Sequence, residues 1–198
     1  MRRGVIVACV FMLGAALAPR VAQAAEPGWV ADKSAGCKVW DPDPDPKDTI
    51  TWSGRCQNGM AQGPGVVEWL EDNAVTVRAE GEWRDGKLVG KGVLIFASGN
   101  RYEGEFVDGL RSGHGVLKWH NGDRFEGEFR DDKRNGHGLE TFANGNRYDG
   151  EYRDGKPNGH GVYTLASGEV FDGIWMNGCY ERDNRWAAVG VDSSACNH

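Results

Sequence analysis

The chain has 198 residues, with 23 Lys and Arg against 29 Asp and Glu, and a formal net charge of −6. This length allows one ordinary domain or a short repeat array. The negative charge disfavours nucleic acid and simple adhesion to anionic lipid, because both depend on positive charge. The chain also has 30 Gly, 8 Trp, 7 Phe and 5 Tyr, which is too aromatic for a disordered polypeptide.

The amino terminus has the organisation of a secretory signal peptide. Two arginines precede an apolar run over residues 5–18, and an Ala-Gln-Ala sequence ends at Ala24. We therefore predict a signal peptide over residues 1–24 and an exported, periplasmic or secreted protein, with a retained amino-terminal anchor as the alternative. Cleavage would remove three arginines and leave 20 basic and 29 acidic residues, a net charge of −9.

Residues 25–50 show no repeat. They contain the run Asp41-Pro42-Asp43-Pro44-Asp45-Pro46, in which each proline fixes its own backbone and favours extended geometry in the residue before it. We interpret residues 25–50 as an amino-terminal cap and a stiff, solvated Asp-Pro linker. Closely spaced carboxylates can also bind calcium, but an extended chain points them apart.

A repeat with a 23-residue step fills most of the remaining chain. The units open at Trp52, Ala79, Tyr102, Phe125, Tyr148 and Phe171. The 27-residue step between the first two openings places a four-residue insertion near residues 71–77, and the last unit is truncated. We predict an array of about six units over residues 51–181 and a carboxy-terminal tail or cap over residues 182–198.

Each unit has the pattern of a β-hairpin. Asp-Gly or Asn-Gly follows the first segment of most units, which is a strong hairpin-turn signal, and Asp131-Asp132 is the exception. Tyr102, Gly104 and Phe106 alternate with acidic residues, as expected for one face of a strand. The predicted fold is all-β: an elongated, single-layer antiparallel meander of repeated β-hairpins, with about eleven strands.

The alternation places aromatic side chains in two rows on the same face as the strand glycines, so large rings should lie over bare glycine backbone. These rows either stabilise a one-layer sheet by stacking or line a groove that binds an extended ligand. The candidate groove residues are Trp83, Phe96, Phe106, Trp119, Phe129, Phe142 and Tyr152.

The sequence resembles the MORN (membrane occupation and recognition nexus) repeat family, of an exported bacterial type. The resemblance depends on Tyr-Glu-Gly-Glu-Phe-x-Asp-Gly, on the following Gly-His-Gly-Val and on the 23-residue step. It implies a rod-like twisted sheet of hairpins. Ala79, Asp132 and Glu140 depart from the pattern.

Four cysteines follow the predicted signal peptide, and an even number in an exported chain suggests two disulfides. Cys56 lies in the first unit of the rod and Cys179 in the last, too far apart for a bond that needs Cα atoms within about 7 Å. We therefore expect Cys37 to pair with Cys56 and Cys179 with Cys196, each bond pinning a terminal segment across one end of the array.

His and Glu residues that recur in successive units are candidates for a metal site or a catalytic site. His114, His137 and His160 recur once per unit, about 10 Å apart, whereas the ligands of one metal must converge within a few ångströms. Glu82, Glu105, Glu128 and Glu151 form a similar row of equal acids, which we expect to pair with Arg84, Arg130 and Arg153. General acid and base groups need unequal environments, so we expect no catalytic site, no metal and no cofactor.

These observations favour a non-enzymatic binding or scaffold protein of the cell envelope, which engages an extended protein partner along the aromatic sheet face. The alternative is peripheral association with membrane phospholipid through the repeats. We expect no nucleic acid partner, and homo-oligomer formation stays open.

Overall fold

A computed structural model describes residues 28–45 and 47–196. The predicted signal peptide, residues 1–24, lies outside the described residues. Within them the chain forms sixteen β-strands and one short 3-10 turn, Ser193–Ala195. The first four strands are β1 (Gly28–Ala31), β2 (Lys38–Asp41), β3 (Thr49–Trp52) and β4 (Arg55–Gln57). The next six are β5 (Met60–Glu71), β6 (Ala74–Arg84), β7 (Lys87–Phe96), β8 (Arg101–Val107), β9 (Leu110–Lys118) and β10 (Arg124–Arg130). The last six are β11 (Lys133–Thr141), β12 (Arg147–Arg153), β13 (Lys156–Thr164), β14 (Val170–Met176), β15 (Cys179–Arg182) and β16 (Arg185–Ala188).

The strands form one long open sheet. From β5 to β16 each strand pairs with the next in sequence, always antiparallel. β3 and β4 both pair with β5, and β1 pairs with β2. The predicted all-β meander of hairpins is therefore confirmed. The sheet is mixed because β2 meets β5 in parallel, at Lys38 and Met60.

The predicted turns close one edge of the sheet. Asp108 and Gly109 have φ of 51° and 86°, and two consecutive positive φ values are the signature of the two-residue hairpin turn. Asp131 and Asp132 adopt the same conformation without glycine, with φ of 48° and 66°. The Asp132 side chain compensates for the missing glycine, because its carboxylate accepts hydrogen bonds from the backbone N–H and the Nε of Arg111, at 3.0 and 2.9 Å.

We call this edge the turn row. Its members are Asn58–Gly59, Asp85–Gly86, Asp108–Gly109, Asp131–Asp132, Asp154–Gly155 and Asn177–Gly178. Backbone hydrogen bonds connect each turn after the first to the unit before it, as when Gly109 N donates to Leu88 O and Gly155 N donates to Arg134 O, both at 2.9 Å. The units are therefore joined at the turn row as well as through the strands.

The predicted insertion lengthens one hairpin at the opposite edge. β5 and β6 have 12 and 11 residues and meet at Asp72–Asn73, where both φ values are positive. The extra residues extend beyond the repeat, so the turn row keeps its spacing on the other side of the sheet.

The core consists of interlocked rings. Tyr102 packs edge-to-face against Phe106 and against Phe129 of the next unit, with ring centroids 5.3 and 5.1 Å apart. Phe125 and Tyr148 repeat this arrangement with their own neighbours. Each opening ring thus lies between two rings of one predicted row, which contact the opening rings rather than each other; the members of this row are Phe106, Phe129, Tyr152 and Trp175. Such edge-to-face pairs add about 0.5–1.5 kcal/mol each beyond burial.

Glycine makes this packing possible. A Cβ on Gly161 would come within 2.5 Å of Tyr148 Cζ, and a Cβ on Gly138 would lie closer still to Phe125 Cζ. Both distances are shorter than carbon atoms tolerate, so only glycine leaves room for the ring. The prediction that rings lie over bare glycine backbone is confirmed.

Both predicted disulfides are present. Cys37–Cys56 and Cys179–Cys196 have Cα atoms 5.7 and 5.6 Å apart. The first ties the β1–β2 hairpin to β4, and the second ties the 3-10 turn to β15. Two disulfides are typical of proteins in oxidising compartments.

A buried carboxylate holds the amino-terminal hairpin in place. Asp32 is 4% exposed and accepts hydrogen bonds from Ser34, from Ala35 N and from Trp52 N across the chain. Burial acts to raise the pKa of Asp32, but these hydrogen bonds together outweigh it and hold the pKa below 3.8. The ionised carboxylate therefore joins β1 to β3.

The Asp-Pro run differs from expectation at its first residue. Asp41 is only 8% exposed, whereas Asp43 and Asp45 are exposed. The reason is that Asp41 is still part of β2, which lies against the repeats. Burial raises the pKa of Asp41, and this effect is only partly offset by a hydrogen bond from Asp43 N and by the nearby Trp69 indole.

Candidate functional site

The seven candidate groove residues separate into two groups. Trp83, Phe106, Phe129 and Tyr152 are 2–4% exposed and belong to the core. Phe96, Trp119 and Phe142 are only partly buried. Any surface that the aromatic face offers to a ligand therefore comes chiefly from the second group.

Two arginines that sequence reasoning missed lie on this face. The Arg111 guanidinium lies over the rings of Tyr102 and Phe129, with Cζ 5.5 and 5.6 Å from the ring centroids. The Arg134 guanidinium lies 5.0 Å from the Tyr152 ring. An alignment of the units would have shown them, because the equivalent positions hold Ala61, Leu88, Pro157 and Tyr180.

A buried polar network centres on Glu140, which stands at an otherwise apolar position of the repeat. Its carboxylate is 2.6 Å from Arg134 Nη1 and accepts a hydrogen bond of 2.8 Å from the Tyr152 hydroxyl. Burial, followed by the Glu140 charge, raises the pKa of Tyr152, so this hydroxyl stays protonated and donates. Glu140 is 5% exposed, and its charge is balanced by Arg134.

The turn row accepts extended backbone at both ends. At the amino-terminal end, Lys38 N donates to Gly59 O and Trp40 N donates to Gly86 O, both at 2.9 Å. At the other end, Val189 N donates to Gly178 O at 2.9 Å. Alternate residues of β2 thus meet successive turns, and this series ends at Pro42, which has no N–H.

Arginine side chains use the turn carbonyls in the middle of the row. Arg111 Nη2 donates to Asp132 O at 2.8 Å, and Arg134 Nη2 donates to Gly155 O at 2.6 Å. Two central turns therefore present carbonyl groups capped by arginine side chains, whereas the end turns are capped by the chain's own backbone.

The histidines and acids of the opposite face are exposed. His137 and His160 have Nε2 within 3.3 and 3.2 Å of Asp149 and Asp172. Over the described part of the chain, no group of three or more His, Cys, Asp or Glu side chains is arranged to hold a metal ion.

The predicted acid–arginine pairing is wrong in its partners. Among the described residues, neither the predicted glutamates nor Arg84, Arg130 and Arg153 form ion pairs, whereas Arg101–Glu103 and Arg124–Glu126 pair inside single strands, two residues apart, both at 2.6 Å. These pairs, and Arg147–Asp149, use the arginine that precedes the opening ring in three of the units. Glu105 and its equivalents lie instead against the glycines Gly113, Gly136 and Gly159.

The described residues contain no helix that is long and apolar enough to cross a membrane. No curated protein matches the chain. The family model of the MORN repeat matches residues 80–101, 102–124, 125–147 and 148–170, which coincide with the units from β6 to the start of β14. Residues 80–170 of this chain are therefore four consecutive MORN repeats.

Proposed function

We propose that this chain is a non-enzymatic binding protein of the cell envelope, and that it holds an extended polypeptide along the aromatic face beside the turn row. MORN repeats indicate a binding, scaffold or membrane-associating role. The observation that carries the finer proposal is the docking of β2, an extended segment of the chain itself, on the turn carbonyls of Gly59 and Gly86.

The central repeats offer the same surface to a second polypeptide. There the partly buried rings of Trp119 and Phe142 line the face, and the guanidinium groups of Arg111 and Arg134 cover the turn carbonyls. An extended ligand would displace or join these guanidinium groups. Backbone hydrogen bonds would supply affinity and alternate side chains specificity, as in other strand-addition complexes.

The cellular compartment that the two disulfides indicate supports the same proposal. The two disulfides suit an oxidising environment such as the periplasm, and a predicted signal peptide precedes the described residues. We infer that the protein acts after export.

The test is a screen of displayed random peptides against the purified protein, followed by affinity measurement on a selected peptide. Trp119→Ala and Phe142→Ala should each weaken binding about tenfold or more, since aromatic anchors dominate such interfaces. Ile95→Ala is the matched control, because Ile95 is 42% exposed and points to the opposite face. Equal affinity for all variants, with folding retained, would contradict the proposal.

Peripheral membrane association is the second candidate. Val170, Ile174 and Met176 of β14 are 42%, 65% and 70% exposed and share one face of that strand, and exposed apolar patches mark interaction surfaces. Flotation with phosphatidylglycerol and phosphatidylethanolamine vesicles tests this role. Flotation that is lost in Ile174→Ser, with no selectable peptide, would favour the membrane over the polypeptide.

A further inference from the structure

An apolar cavity lies where the amino-terminal segment crosses the repeats. It has a volume of about 360 Å³, within the range typical of small-molecule sites. Its floor includes Trp69, Trp83, Phe96 and Phe106. The opposite wall is built by residues 40–43 and Asp48, so the cavity belongs to this chain's own amino-terminal segment and not to the repeats alone.

The charges around this cavity are unbalanced. Asp41, Asp43 and Asp48 line it, while Arg111 is the one cationic side chain among its described lining residues. Arg111 already forms an ion pair with another carboxylate, because its Nε lies 2.9 Å from an Asp132 oxygen. A ligand entering the cavity therefore meets three carboxylates without a cation of their own.

Two polar groups of the wall, the Asp41 carboxylate and the Trp69 indole, lie beside each other. Asp41 is 8% exposed and accepts a hydrogen bond from Asp43 N at 2.9 Å. The Trp69 Nε1 atom is buried and has no hydrogen-bond partner of normal geometry. By contrast, the indoles of Trp52, Trp83 and Trp175 each donate to a backbone carbonyl. The Trp69 indole lies instead beside the Asp41 carboxylate, whose pKa it helps to lower, and both side chains line the cavity. The carboxylate can accept further hydrogen bonds from a ligand.

Aromatic rings beside carboxylates recognise one kind of group. Cations bind over aromatic faces, with a gain that grows as they are desolvated, and carboxylates supply the countercharge. The same chemistry already operates at the rim, where the Lys87 ammonium lies 5.2 Å from the centre of the Trp40 ring. An anion would be repelled, and a neutral apolar body would displace water from the cavity without bringing a countercharge for the carboxylates.

We propose that this cavity binds an organic cation on an apolar body, with its charge beside Asp41, Asp43 and Asp48 and its body against the rings of Trp69, Trp83 and Phe106. An alkyl- or arylammonium compound has this chemistry, and so does the basic side chain of a polypeptide. The site does not depend on the proposed function of the central repeats.

The experiment titrates the folded protein with benzyltrimethylammonium and follows tryptophan fluorescence and binding heat. Benzyl alcohol and phenylacetate serve as neutral and anionic controls of similar size. We expect saturable binding of the cation with a Kd at least about tenfold below that of the alcohol, and no saturable binding of the anion. Equal binding of the cation and the alcohol, or no saturable binding of the cation, overturns the proposal.

Single carboxylate variants locate the site. Asp41→Asn should weaken cation binding about tenfold, and Asp43→Asn and Asp48→Asn about twofold to fivefold, because they are more exposed. Asp45→Asn is the matched control, since Asp45 belongs to the same acidic run but does not line the cavity. An effect of Asp45→Asn equal to that of Asp41→Asn overturns the proposal. If Asp41→Asn impairs folding, the Asp43→Asn and Asp48→Asn variants provide the test.

A last experiment distinguishes a basic polypeptide side chain from a free organic amine as the bound cation. A blocked tetrapeptide containing Phe-Lys is compared with the same peptide carrying norleucine for lysine. Lysine-dependent binding that competes with benzyltrimethylammonium identifies a basic polypeptide side chain, whereas binding of the small cation alone identifies a free amine. Failure of peptide selection at the central repeats leaves both results unchanged, so the two proposals fail separately.

Discussion

Replacing Gly161 with alanine should destabilise the protein by steric conflict with one side chain. The three atoms nearest to an added Cβ all belong to Tyr148, with Cζ at 2.5 Å. Gly161 does not have a positive φ, so alanine introduces no backbone strain of its own. The substitution therefore isolates the contact between the ring and the bare backbone.

The expected size follows from two opposing terms. Overpacking a close-packed site costs about 1–3 kcal/mol, and alanine regains about 0.4–1 kcal/mol by restricting the unfolded chain. The free energy of unfolding should therefore fall by about 1–2 kcal/mol. Tyr148→Leu should cost about 2–4 kcal/mol by itself, because its ring packs on Tyr152 and Trp175.

The assay is a double-mutant cycle measured by urea denaturation. Leucine does not reach the position of the Tyr148 Cζ, so Gly161→Ala should cost less than about 0.5 kcal/mol in the Tyr148→Leu background, a coupling of about 1–2 kcal/mol. Gly155→Ala is the control: its φ is 84° and an added Cβ meets nothing within 4 Å, so its cost should be equal in both backgrounds. An equal cost of Gly161→Ala in both backgrounds would refute the steric account.

Three further predictions concern polar and covalent contacts. Glu140→Leu should cost about 1–3 kcal/mol, because it removes the carboxylate partner of the partly buried Arg134 guanidinium, which keeps its hydrogen bond to Gly155 O. Adding Arg134→Met should recover most of this loss. Urea denaturation of both variants checks this prediction, and no recovery would contradict the pairing. Replacing Cys179 and Cys196 with serine should lower the free energy of unfolding by about 3 kcal/mol, and an unchanged denaturation midpoint would contradict it. The Asp32→Asn variant should be less stable than the unmodified protein at pH 7 and should lose less stability on acidification. The reason is that the pKa of the Asp32 carboxyl is lowered in the folded state, so its contribution to stability is present above pH 3.8 and disappears as the pH falls through that lower pKa. Parallel acid unfolding curves for the two proteins would contradict this assignment.

The fold was predictable because the repeat carries its own geometry. A 23-residue step with Asp-Gly turns and alternating rings permits one arrangement of hairpins, and the cysteine pairing follows from the length of the array. The turn at Asp131–Asp132 shows the limit of such reasoning. Its sequence departs from the pattern, yet its backbone does not, because the Asp132 carboxylate gains Arg111 as a partner.

The candidate surface was less predictable, because alternation assigns a residue to a face but not to a depth on it. Trp83 and Phe129 lie on the predicted face and yet are buried, because the opening rings of adjacent units insert between neighbours. The position of residues 40–43 and Asp48 over the repeats could not be predicted, for another reason. An Asp-Pro run has no periodicity, and only tertiary contact determines that Asp41 is buried while Asp43 is exposed.

The turn row also limits how such a protein can change in length. In each turn after the first, the N–H of the second residue reaches a carbonyl of the unit before it, as Gly155 N reaches Arg134 O, a separation of 21 residues. Losing or gaining part of a unit would shift every later donor away from its acceptor. Duplicating a complete unit would leave each donor with an acceptor of the same kind. Gene duplication by whole repeats is therefore the route by which this rod can grow, and both terminal caps can be kept while it does so.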